Sequence, residues 1–157
     1  MSLSRRRRRR HHGAATLAGA LLALGFVSGC TGYSGTQDHQ VSQWATQYTV
    51  ISNDQTVMSD VKAIKLSLRA HKLKDVTSNC AGLVTDAGTG YGNLPTPDNV
   101  LTNELGAAYQ DLVNAGGQCA QATSLGGAKV TGALRTIATG VAALERATRR
   151  LAADGVN

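Results

Sequence analysis

From Val130 onward the chain repeats at steps of four and three residues: Val130, Leu134, Ile137, Val141, Leu144, Thr148 and Leu151. Thr148 holds the one polar step. That period is the face of an α-helix and does not fit the two-residue alternation of a strand. Leu101, Leu105, Ala108, Leu112, Ala115 and Cys119 repeat in the same way and predict a helix over 97–118. Val41, Trp44, Tyr48, Ile51, Gln55 and Met58 form a third stripe, which Val61, Ile64 and Leu68 continue after a shift of register. It predicts one long helix over 38–70, weakest at Ser52-Asn53-Asp54. Val76, Cys80, Leu83, Val84 and Ala87 predict a shorter helix over 75–88. With no run of convincing strand alternation, the expectation is an all-α, antiparallel up-down four-helix bundle over 40–153.

The segments between the stripes carry turn chemistry. His71 to Lys74 reads as a turn, with Asp75 capping the next helix. Gly88 to Pro97 holds three glycines and both prolines of the chain and reads as the clearest loop. Its glycine spacing is no phosphate loop, because no strand precedes it and no Lys-Ser/Thr pair follows. Thr96 is the expected N-cap of the third helix, with Pro97 at its first position. Gln118 to Gly127 reads as a small-residue connection with Ser124 as a cap. Glu145 and Arg149 are spaced for an i,i+4 pair, and Asp154-Gly155 is the expected stop.

The N-terminal segment has a different character. Arg5 to Arg10 and His11-His12 are followed by an apolar, small-residue run from Gly13 to Ser28. This is the order of a secretory signal peptide. The run is short of the roughly 20 apolar residues that a spanning helix needs. It closes on Val27-Ser28-Gly29-Cys30, which resembles the lipobox of bacterial lipoproteins. The resemblance implies cleavage between Gly29 and Cys30, diacylglycerol on the Cys30 thiol, and anchorage on the outer face of the cell membrane. Residues 1–29 are then signal peptide and 30–39 a lipidated cysteine with a flexible tether, reaching at most roughly 35 Å. The arginine run lacks the apolar residue that follows a twin-arginine pair, so the general secretory route is expected.

The same reading changes the meaning of the charge. Six of the sixteen Lys and Arg lie in the arginine run; the remaining ten balance ten Asp and Glu, all of them after Cys30. The high isoelectric point belongs to a segment that is removed, so no nucleic-acid partner is expected. Lipidation of Cys30 also leaves Cys80 and Cys119 as an even pair, which outside the cytosol oxidises. In an up-down bundle both fall at the end distal to the tether, so the topology permits the bridge.

Beyond the lipobox, residues 40–152 resemble small helical lipoproteins of actinobacteria. The resemblance is carried by Trp44, the Asp75 to Cys80 segment, Leu94-Pro95-Thr96-Pro97 and Cys119. It implies location and fold, and brings no catalytic residues with it.

No catalytic or metal motif stands out. His39 and His71 fall at the tether and at a distal turn, and no CxxC or HExxH occurs. No cofactor and no enzymatic activity are expected. Lys62, Lys65, Arg69 and Lys72 form a basic stripe that is a solvated face or a docking strip for an acidic partner, envelope protein or wall polymer. Arg146, Arg149 and Arg150 fall at the membrane-proximal end, where they favour anionic lipid. Trp44 is expected to anchor the core, with contact to a ligand or to headgroups as the alternative. The reading is a membrane-anchored, non-enzymatic binding module at the cell envelope; the alternative is a carrier or sensor of a small apolar ligand within the bundle. The sequence leaves the oligomeric state open.

Overall fold

The computed structural model describes residues 33–156. These carry five helices: α1 (Gln37–Gln47), α2 (Val50–Arg69), α3 (Leu73–Gly92), α4 (Asn99–Ala120) and α5 (Ala128–Ala153). α2 to α5 form the expected up-down bundle, α3 packing along α2, α4 along α3 and α5 along α4. One core of buried residues between Val41 and Val156 runs through it, with Tyr33 among the side chains packed against it. The expected signal peptide, its expected cleavage point at Gly29 and Cys30, and the first residues of the expected tether lie outside the described residues.

The single helix expected over 38–70 is two. The break falls at Tyr48 and Thr49, before the expected weak point, and Ser52, Asn53 and Asp54 are helical. Thr49 takes a left-handed conformation (φ 48°), an unfavourable region for a β-branched residue. The turn lets α1 swing Trp44 over the end of α3. There the indole is 1% exposed, and its Nε1 donates to the Asn93 carbonyl at 3.0 Å. Trp44 is the core anchor that its position predicted.

α3 continues to Gly92, so the first half of the stretch expected as a loop, with its three glycines, is helix, and the loop itself is confined to 93–98. Gly90 is required by packing. A Cβ there would stand 2.6 Å from Cε1 of Tyr109 and 2.7 Å from Nδ2 of Asn53, so only glycine lets α3 approach α4 and α2 so closely. The N-cap of α4 is Asp98, not Thr96. Asp98 Oδ1 accepts from the backbone N–H groups of Val100 at 2.7 Å and Leu101 at 3.3 Å. Thr96 is buried behind it, and its hydroxyl donates to the Asp98 carbonyl.

The α4 stripe is buried at every expected position, from Leu101 to Cys119. α5 begins at Ala128 with Gly127 as N-cap, and Ser124 takes no capping role. Its end is a Schellman motif: Val156 N–H donates to the Leu151 carbonyl and Gly155 N–H to that of Ala152, with Gly155 at φ 83°. α2 ends the same way, Lys72 N–H reaching Ser67 and His71 N–H reaching Leu68. Here the left-handed residue is His71, at φ 54°.

Cys80 and Cys119 are bonded, with Cα atoms 5.8 Å apart and both residues fully buried. The bridge joins the early part of α3 to the last turn of α4. Such a disulfide belongs to an oxidising, extracytoplasmic setting. Among the described residues no helix is long and apolar enough to cross a membrane.

Candidate functional site: the seam between α2 and α5

α2 and α5 stand beside each other but touch only sparsely. The reason lies in the width of their apolar faces. The fully buried positions of α2 include Val50, Asp54, Val57, Val61 and Ile64, themselves spaced four and three apart. Ile51, Met58 and Leu68 form a second, half-buried stripe beside them. On α5 the packing side is made by Val130, Ala133, Ile137, Gly140, Ala147 and Leu151. Small residues let this side sit tightly on α4; a Cβ on Gly140 would meet Leu112 Cγ at 2.9 Å. Leu134 and Val141, expected to point into the core, are only half-buried. With Leu68 they line the gap between α2 and α5 instead.

The result is an apolar groove in two parts that meet at Glu145. The part nearer the α2–α3 turn has a volume of about 490 Å³, with Ile64, Leu68, Leu134 and Val141 among its walls. The other has about 520 Å³, with walls that include Ile51, Met58, Leu144 and Ala152. Lys65 and Arg69 border the first part and Arg149 the second; the acidic residues are Glu145, exposed and shared by both parts, and Asp54, buried in the wall of the second.

Asp54 and Thr148 lie on the wall of the second part. Asp54 is 5% exposed and sits where an apolar step of the α2 stripe would fall. Tyr109 Oη donates to its Oδ1 at 2.6 Å. The Thr148 hydroxyl lies 3.3 Å from its Oδ2 but only 2.9 Å from the Leu144 carbonyl. One hydroxyl has one proton. If that proton goes to Leu144, a proton on Asp54 Oδ2 can donate to Thr148, and every donor then has an acceptor. Burial pushes the Asp54 carboxyl up to about 6, against the lowering effect of the hydrogen bond from Tyr109 and of the Thr148 hydroxyl when it donates to the ionised form. Burial, and then the Asp54 charge, push the Tyr109 phenol up as well.

The structure separates the basic residues that the sequence grouped. Lys62, Lys65, Arg69 and Lys72 are all exposed, but only Lys65 and Arg69 border the groove. Lys72 lies in the α2–α3 turn, 3.9 Å from Asp75. Arg146 and Arg149 are exposed, and Arg146 Nη1 donates to the Ala142 carbonyl at 3.1 Å. Arg150 is not free for lipid headgroups, because its guanidinium is held by Asp98. The expected Glu145–Arg149 pair is not formed. A second acidic residue was also missed: Asp60 on α2 is pushed up to about 6 by burial and then by Asp86 of α3. Among the described residues no group of three or more His, Cys, Asp or Glu is arranged to hold a metal ion.

No protein-family model, no characterised protein and no solved structure matches the chain. The described residues form a small all-helical domain.

Proposed function

We propose that this protein is a membrane-anchored extracytoplasmic lipoprotein and that its bundle acts as a non-enzymatic binding module at the cell envelope, with the α2–α5 seam as the binding face. The observation that carries the reading is the pair of surplus apolar stripes on α2 and α5. A bundle needs one stripe per helix to close its core. Here Ile51, Met58 and Leu68 on one helix, and Leu134 and Val141 on the other, line a shared groove after the core is complete. Pockets of about 300–1,000 Å³ lined by apolar side chains with a few polar groups are the usual form of a ligand site.

The anchor rests on Val27-Ser28-Gly29-Cys30 after the basic and apolar segment. The Cys80–Cys119 disulfide supports the compartment. Within this reading Lys62 and Arg146 remain exposed cations for an envelope protein, wall polymer or anionic lipid.

The test has two arms on the full chain in a bacterial envelope. Metabolic labelling with a fatty-acid analogue should mark the wild type and not Cys30→Ala, which should leave the membrane fraction. A photo-crosslinker at Ala142, beside the groove, should capture a component that the same group at the exposed Thr85 of α3 does not. Equal capture at both positions would remove the seam from the proposal, and an unlabelled Cys30 would remove the anchor.

A further inference from the structure

The groove has a length, a cross-section and a charge that select among occupants. Its lining runs over residues 51–69 of α2 and 134–152 of α5, about 27 Å of helix at about 1.5 Å per residue. The two helices still touch at points along it. A third helix inserted between them would need about 8–10 Å from each axis, which those contacts forbid. A single hydrocarbon chain is far thinner. An acyl chain of the length found in one bilayer leaflet, roughly 15 Å, fits within the groove.

The cations are unevenly placed: two border one part, whereas Arg149 stands alone on the other, one turn from Glu145. Lys65 and Arg69 are one turn apart on α2 and border the part nearer the α2–α3 turn, beside Leu68 and Leu134. Glu145 lies at the middle of the groove. An anionic head placed among the middle residues would meet Glu145, whereas one placed at the end meets two cations. From there a tail can run past Val141 and Met58 toward Leu144 and Ile51.

From this we infer that the seam binds one long-chain fatty acid or similar single-chain anionic amphiphile, its head on Lys65 and Arg69 and its tail along the α2–α5 groove. The inference rests on the reading of the seam as the binding face and names its ligand class. The recognition is non-covalent: charge-assisted hydrogen bonds hold the head, and burial of apolar surface holds the chain.

The experiment uses the chain from Cys30 to Asn157 with Cys30→Ser, with palmitate and the neutral hexadecanol as probes. Palmitate should bind saturably, one per chain. Ala142→Trp, or Ala138→Phe on the same wall, should weaken both probes at least tenfold. Both alanines are exposed, so either variant should keep the unfolding midpoint of the parent. Lys65→Ala with Arg69→Ala should weaken palmitate about tenfold and leave hexadecanol unchanged, and Lys62→Ala should change neither. Absence of saturable palmitate binding, or binding indifferent to the groove-filling variants or to the Lys65/Arg69 pair, would overturn the inference. Capture of a protein helix from Ala142 together with no palmitate binding would also overturn it. That outcome would leave the seam as a binding face.

Discussion

Arg150, in the last turn of α5, places two donors on one oxygen of Asp98, the N-cap of α4: Nη2 at 2.8 Å and Nε at 3.1 Å from Oδ2. The other oxygen of Asp98 receives Val100 and Leu101 N–H. One carboxylate therefore starts α4 and fastens α5 to it. Burial alone would push this carboxyl up, but the Val100, Leu101 and Arg150 hydrogen bonds outweigh it and hold it below its ordinary value.

Asp98→Ala should therefore cost more than an ordinary cap. The expected loss is about 2–3 kcal/mol, from the cap and from a charge-assisted bond. Arg150→Ala should cost about 1 kcal/mol, because its side chain is 40% exposed and the cap survives. Asp98→Asn should fall between the two, keeping an oxygen for the cap while losing the charge. Urea unfolding of the three variants orders them.

Asp54 gives the opposite pH dependence. Its folded value of about 6 lies above its ordinary 3.8, so the folded state holds the proton more tightly. Its favourable contribution is complete at low pH and is lost as pH rises through about 6, amounting to on the order of 3 kcal/mol. Asp60 shifts in the same direction. Asp98 opposes them only below its ordinary value, where protonation removes its contribution. Stability should therefore fall from pH 4 to pH 7 in the wild type. Asp54→Asn should flatten much of that slope and raise stability at pH 7, because the amide can accept from Tyr109 and donate to Thr148. An unchanged slope in Asp54→Asn would contradict the neutral-carboxyl network.

The Cys80–Cys119 bridge closes a loop with a sequence separation of 39. By the chain-entropy estimate this contributes roughly 3–4 kcal/mol. Reduction, or Cys80→Ala with Cys119→Ala, should lower the urea midpoint accordingly. Far-UV circular dichroism at low denaturant should stay helical, since the bundle core does not depend on the sulfurs alone.

Among the described residues two non-glycine residues hold left-handed conformations, Thr49 between α1 and α2 and His71 after α2. Neither side chain is buried, so glycine removes the conformational cost without opening a cavity. His71→Gly and Thr49→Gly should each stabilise the fold by about 1 kcal/mol. Thermal unfolding of the single variants reads this directly, and a lowered midpoint would show that the side chain makes a contribution the geometry does not suggest.

The α4 stripe from Leu101 to Cys119 was fully legible because large and small apolar residues alternate there without a polar step. The α2 stripe was misread for a specific reason. Gln55 was placed on the inward face, whereas Asp54 is the buried residue. Taking Val50, Asp54, Val57, Val61 and Ile64 as the core face removes the apparent shift of register. A carboxyl on an apolar face reads as a break until its partners Tyr109 and Thr148 are known, and these lie far away in sequence. On α5, Leu134 and Val141 outweighed Gly140 and Ala147 in hydropathy, yet the small residues are the ones against α4. The surplus stripes that form the candidate site were thus present in the sequence but were read as the core itself. Gly90 was missed in the same way: glycine in a proline-flanked stretch signals a loop locally, and only the Tyr109 ring and the Asn53 amide explain it as a packing position.

Met58 is the one methionine after Met1, and it lies on the groove wall, which makes it a reporter for the central claim. Its oxidation by hydroxyl radicals can be compared between the purified chain from Cys30 onward and the full chain expressed in a bacterial envelope, with the exposed Tyr91 of α3 as reference. If the α2–α5 seam is the binding face, Met58 should be protected several-fold in the envelope while Tyr91 changes little. Equal change at Met58 and Tyr91 would contradict the claim.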